Sequence, residues 1–170
     1  MTSPQNKRKE LEHILSKEHF VKITESIKVL REETPFSGAI ELLVEFYNKT
    51  DNNSVKRLIT EFLNDLKDQS SCEEVISEIK KGLKPETIKM LVSSCWQSGL
   101  NFSAYSSVFA ELFLSGDYLT AIECFTVIES SVDNLTRPEK DSIVKQIREG
   151  SSGNIGEKKA LVLELISVLE

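Results

Sequence analysis

Apolar residues step by three and four along nearly the whole chain, and no stretch alternates with the period of a half-buried strand. The period predicts amphipathic helices, and punctuation along the chain cuts them short. Thr34-Pro35 reads as an N-cap followed by proline at the first helical position. Ser71 with Glu74, and Thr136 with Glu139, have the spacing of a capping box. Asp51, Ser103 and Asp117 stand just before apolar-periodic runs, and Gly82, Gly99 and Gly150 read as stops. The expectation is an all-α chain of about ten short helices joined by short loops.

Those helices repeat. A start residue followed by apolar positions at +4, +8 and +11 occurs at Asp51 (Val55, Ile59, Phe62), Lys84 (Ile88, Val92, Cys95) and Asp117 (Ala121, Phe125, Ile128), at steps of 33 and 33. His19 leads Ile23, Ile27 and Leu30 a step of 32 upstream, and Glu157 leads Leu161, Leu165 and Val168 a step of 40 downstream. The intervening helices repeat as well. Leu43-Val44 with Tyr47 matches Val75-Ile76 with Ile79, Val108-Phe109 with Leu112, and Ile143-Val144 with Ile147, while Leu11 and Leu15 supply the first copy. Any amphipathic helix gives one such heptad; the near-constant step is what points to stacked units that cannot bury their apolar faces alone. The expected architecture is one domain, 1–170, a right-handed α-solenoid of about five antiparallel hairpins at roughly 5–32, 35–67, 71–98, 103–131 and 137–170. Its terminal units should present polar outer faces. Glu164, where earlier copies have Leu58 and Leu91, fits such a cap.

The run Leu114-Ser-Gly-Asp-Tyr-Leu-Thr-Ala-Ile-Glu-Cys-Phe125 resembles a tetratricopeptide repeat. Gly116, Tyr118, Ala121 and Phe125 fall at its Gly, Tyr, Ala and aromatic positions, and Tyr105 at its Trp position. Phe109 and Ile128 replace its small residues and Asp133 its terminal proline. Asp51-Asn-Asn-Ser-Val-Lys-Arg-Leu-Ile-Thr60 looks more like the second helix of a HEAT repeat, and a HEAT-like array is the class favoured. Such families imply protein–protein scaffolds and adaptors, and they fix no activity.

Twenty-one Lys and Arg against 27 Asp and Glu give net −6, which argues against a generic nucleic-acid binder. No run of about 18 apolar residues occurs, so no membrane span is expected, and Met1–Glu12 lacks the apolar stretch of a secretory signal. Cys72, Cys95 and Cys124 are odd in number and widely spaced, which suits a reducing, cytoplasmic compartment. The Asn-x-Ser/Thr triplets at Asn48, Asn52, Asn101 and Asn134 then carry no meaning.

Chemistry-bearing residues are scattered. His13 and His19 have no nearby cysteine to complete a zinc set, so no metal or other cofactor is expected. Cys95 holds a core slot, Cys124 precedes Phe125, and Cys72 sits at a helix start, where the dipole would favour a thiolate. Gly150-Ser-Ser-Gly-Asn-Ile-Gly156 lacks the strand and the Gly-Lys pair of a phosphate loop, and reads as a linker. Lys7-Arg8-Lys9 and Lys80-Lys81 with Lys84 are short clusters at helix ends. Asp65, Asp68, Glu73 and Glu74 gather near one turn without the fixed separation that acid–base work needs. Trp96, Phe102, Tyr105, Phe113 and Tyr118 crowd the middle of the chain. The expected function is a non-catalytic scaffold that binds a protein or peptide partner near Trp96, Tyr105 and Tyr118. A small enzyme on a helical solenoid, and a nucleic-acid-binding HEAT-like protein, are the alternatives.

Overall fold

The computed structural model describes residues 3–170. It contains α1 (Pro4–Ser16), α2 (Phe20–Glu32), α3 (Ala39–Lys49), α4 (Asn53–Asn64), α5 (Ser71–Ile79), α6 (Pro85–Gln97), α7 (Ser106–Ser115), α8 (Tyr118–Ser131), α9 (Arg137–Gly150) and α10 (Lys159–Leu169). Short 3-10 turns at Ser103–Tyr105, Val132–Asn134 and Gly156–Lys158 complete it, and no strand occurs among the described residues. The protein is all-α.

Each odd-numbered helix packs on the even-numbered helix that follows it. The even helices also pack in series, α2 on α4, α4 on α6, α6 on α8 and α8 on α10, and among the odd ones α1 packs on α3, α3 on α5 and α7 on α9. Polar ties also join the α2, α4 and α6 regions. Arg31 reaches Glu61 and Asp65, Lys56 reaches Glu86, and the Asn64 amide donates to Gln97. Asn48 Oδ1 accepts from Lys84 N–H at 3.0 Å and Thr87 Oγ at 2.8 Å. It thereby ties α3 to the first turn of α6, whose N-cap Lys84 makes no side-chain cap bond.

Local chemistry explains several helix starts. Asp117 accepts from Thr120 N–H and caps α8, and Thr136 with Glu139 forms a reciprocal capping box on α9. Asn52, not Asp51, caps α4, accepting from Ser54 and Val55 N–H. Two expected starts are corrected. Thr34-Pro35 does not open a helix. The half-buried Phe36 anchors the linker in the core, a turn closes from Ala39 N–H to Phe36 O, and α3 begins after Gly38 at φ +95°. A side chain there would adopt a conformation disfavoured for L-residues and meet the Arg8 guanidinium. Ser71 and Glu74 form no capping box either. Ser71 is already helical and buried, its N–H goes to Asp68 O, and Asp68 Oδ1 takes Ser70 N–H.

The core register matches the expected slots in α2, α4 and α6, where Ile23, Ile27, Leu30, Val55, Ile59, Phe62, Ile88, Val92 and Cys95 are all buried. It departs in the later helices. In α7, Phe109, Ala110 and Phe113 are buried, while Val108 and Leu112 are half-buried. In α8, Ala121, Cys124 and Ile128 are buried, and Phe125 is only half-buried. The reason is volume. Phe102, Phe109 and Phe113 fill this part of the core, so the helix packed on α7 meets it with Ala121 and Cys124 and sets its own phenylalanine at the edge. In α10, Val162, Leu165 and Leu169 are buried in place of the expected Leu161 and Val168. The long linker before α10 ends in its own 3-10 turn, which frees the last helix from the register of the others.

The two ends of the chain also differ. Glu164 is exposed, and Arg148–Glu170 and Arg137–Asp141 ion pairs line the α9–α10 groove. At the α1–α2 end the outer face is not polar throughout. A groove of about 370 Å³ runs over Leu11, Ile14 and Phe36, and Val29 is 55% exposed beside it. Val127, at the matching position of α8, is buried.

Candidate interaction surface

Helix α8 is apolar on two sides. Thr120, Ala121, Cys124, Val127 and Ile128 face inward. Tyr118, Leu119 and Ile122 face outward, 36%, 57% and 36% exposed. Their spacing places the three on one surface of a helix. Trp96, in the last turn of α6, is 39% exposed, and its indole Nε1–H donates to Glu123 Oε2 at 2.6 Å. That bond ties the ring to α8, on which α6 packs.

Of the aromatic residues singled out in the sequence, Trp96 and Tyr118 therefore lie on exposed parts of the α6–α8 pair. Tyr105 sits elsewhere, half-buried in the 3-10 turn that enters α7, its ring 6.3 Å from that of Phe102. Phe102 in turn packs edge-on to Phe109 at 6.1 Å. Leu119, Ile122 and Glu123 were not singled out. Their signal was the second apolar face of α8, which an apolar count alone assigns to the core.

The Asp117 carboxyl at the head of α8 is held below its ordinary range by the Thr120 N–H, with Lys89 and Lys158 adding smaller attractions. A depressed acid contributes stability that is fully present above its unfolded value, about 3.9, and is lost as pH falls through its folded value. Asp117→Ala is expected to cost about 1 kcal/mol at neutral pH. In urea melts the gap to the wild type should narrow between about pH 5 and about pH 3. A constant gap would show that the ionised carboxylate is not what caps α8.

No other chemistry gathers. Burial pushes the Cys72 thiol up to about 11 and the Cys124 thiol up to about 12, and raises that of Cys95 as well. None presents a thiolate at neutral pH, so the dipole effect expected at Cys72 is outweighed by desolvation. His13 and His19 are exposed, and no cluster of metal-ligating side chains occurs among the described residues. Asp65 pairs with Arg31, and Asp68 caps its own turn. Glu74 lies against the Gly38 amide, and burial pushes its carboxyl up.

In the glycine-rich loop, Asn154 Oδ1 accepts from Gly156 N–H, and the Lys158 ammonium turns away onto backbone carbonyls of the α7 terminus. Lys158 is therefore not available to a phosphate in the loop. The basic clusters are engaged in part, Lys7 with Glu33, Arg8 with Glu41, and Lys81 with Glu78 and Glu41, while Lys9, Lys80 and Lys84 make no ion pair among the described residues. No helix among the described residues is long and apolar enough to cross a membrane. No protein-family model, curated protein or solved structure matches this chain.

Proposed function

We propose that this protein is a non-catalytic helical-repeat scaffold, a HEAT-like right-handed α-solenoid of five antiparallel hairpins, that binds a protein or peptide partner on its middle units. The observation that carries the reading is the exposed apolar surface of Trp96, Tyr118, Leu119 and Ile122 on α6 and α8. Large apolar side chains grouped on a folded surface mark interaction sites, and Trp and Tyr are enriched where binding energy concentrates. The near-constant step, together with even-on-even and odd-on-odd packing, supports the array. Three unpaired cysteines suit a reducing, cytoplasmic setting.

The test is affinity capture with cross-linking from the native cell. The partner's cross-links should map to α6–α8. Tyr118→Ala, and Trp96→Ala compared at matched helicity, should each weaken capture, with Tyr105→Ala weakening it less because that ring is half-buried. Cross-links confined to α1–α2 or α9–α10, with capture unchanged in the α6 and α8 variants, would overturn the reading.

A further inference from the structure

We infer that the surface shared by α6 and α8 accepts a short basic amphipathic segment of its partner. The inference rests on the docking reading above and adds the chemistry of what docks. Residues 90–136 contain no Lys, Arg or His, yet include Glu111, Asp117, Glu123, Glu129 and Asp133. The rest of the chain explains how uneven this is. Residues 3–34 hold seven basic and six acidic side chains, and residues 137–170 hold six of each. Residues 35–136 hold eight basic against 15 acidic, so the net charge of the molecule resides in its middle.

The exposed face of α8 carries both halves of the complement. Leu119, Ile122, Thr126 and Glu129 follow one another at spacings of three, four and three, a strip about 15 Å long. Tyr118 widens its apolar end, and Glu123 flanks it beside the Trp96 indole. Glu123 and Glu129 have no ion-pair partner among the described residues. Lys158 is bound to carbonyls at the end of α7. Lys89 acts on Asp117 at the head of α8 without forming an ion pair among the described residues. An apolar strip rimmed by carboxylates without a cationic partner fits a helix with aliphatic residues on one face and Lys or Arg on its flanks. It repels nucleic-acid phosphates and anionic bilayers for the same electrostatic reason.

Trp96 is the single tryptophan of the chain, so its fluorescence reports on this surface alone. The probes are two helical peptides of about 15 residues with the same leucine positions, one flanked by lysines and the other by glutamates. Titrated into the full chain, the lysine peptide should change the emission and bind at least about tenfold more tightly than the glutamate peptide. It should also weaken as salt rises from about 0.05 M to about 0.5 M.

The deciding variant is Leu119→Asp. Its side chain is 57% exposed, so the fold should survive, and circular dichroism checks that it does. The change makes the surface more acidic, so diffuse charge attraction would tighten binding, whereas docking on the strip predicts a loss of at least about tenfold. Ile122→Asp repeats the test at a second position. Binding of the lysine peptide to Leu119→Asp as tight as to the wild type, or no binding to the wild type at all, overturns the inference. Equal binding of both peptides, lost in Leu119→Asp, overturns the basic chemistry and leaves the docking surface standing.

Discussion

Phe109→Ala is expected to lower the stability of the folded chain by about 3–5 kcal/mol, while Phe125→Ala loses no more than about 1.5 kcal/mol. The sequence pattern does not separate them: Phe109 belongs to the repeating apolar set of the intervening helices, and Phe125 holds a +8 slot alongside the buried Ile59 and Val92. The structure makes Phe109 fully buried, edge-on to Phe102 and on a helix packed against both α8 and α9. Removing its ring leaves a cavity whose walls are fixed by neighbours on several sides, so the site collapses poorly and the loss exceeds simple transfer. Phe125 touches the core with one side only, and its truncation forfeits partial burial without opening an internal void. Urea melts followed by helical circular dichroism compare the two. If the chain loses cooperativity and unfolds in parts, hydrogen exchange of the α7 and α8 amides gives the local values. Equal losses would place Phe125 in the core and refute the observed register of α8.

What the sequence made legible was chemistry that acts within one turn. Asp117, and Thr136 with Glu139, cap the helices they precede, because an acceptor side chain reaches an amide two or three residues ahead whatever surrounds it. Thr34-Pro35 and the Ser71–Glu74 pair have equally good local credentials and fail. Phe36 has a place in the core that the linker must reach first, and Asp68 has already made the turn that Ser71 would have made. The tie from α3 to the start of α6 was invisible for a related reason, since its acceptor, Asn48, lies 36 residues upstream of Lys84.

Register was legible where a helix meets ordinary aliphatic neighbours and was lost where it meets a cluster of rings. The +4, +8, +11 pattern holds through α6 and shifts once Phe102, Phe109 and Phe113 occupy the core. The candidate surface shows the same limit. Trp96 and Tyr118 could be singled out as aromatic. Leu119 and Ile122 could not be told from core residues, because α8 is apolar around most of its circumference and only its neighbours decide which face is covered. The absence of basic residues from 90 to 136 is plain in the sequence, but it has a consequence only once an exposed apolar strip is found inside that stretch.

Lys158→Met is expected to cost about 2 kcal/mol and to loosen α9 and α10 from the end of α7. The side chain leaves the 3-10 turn ahead of α10 and brings Nζ to Phe113 O at 3.1 Å, Leu114 O at 2.9 Å and Gly116 O. Carbonyls in the last turn of a helix have no partner within it, and the negative end of the α7 dipole lies there as well. An ammonium has three N–H donors and no acceptor, so one lysine satisfies all three oxygens and places its charge where the dipole favours it. Hydrogen bonds to a charged group contribute about 1.5–3 kcal/mol, and a half-buried site keeps part of that from solvent screening. Methionine preserves the length and packing of the stem, so the loss reports the ammonium rather than a cavity. Lys158→Arg keeps the charge, but a planar guanidinium cannot converge on three carbonyls as an ammonium does, and it should lose about half as much. Hydrogen exchange should quicken in α9 and α10 before it does in α3 to α6, because the contact joins the final turn to α7 alone. A loss below about 0.5 kcal/mol, with exchange in α9 and α10 unchanged, would show that water serves these carbonyls as well as the lysine does.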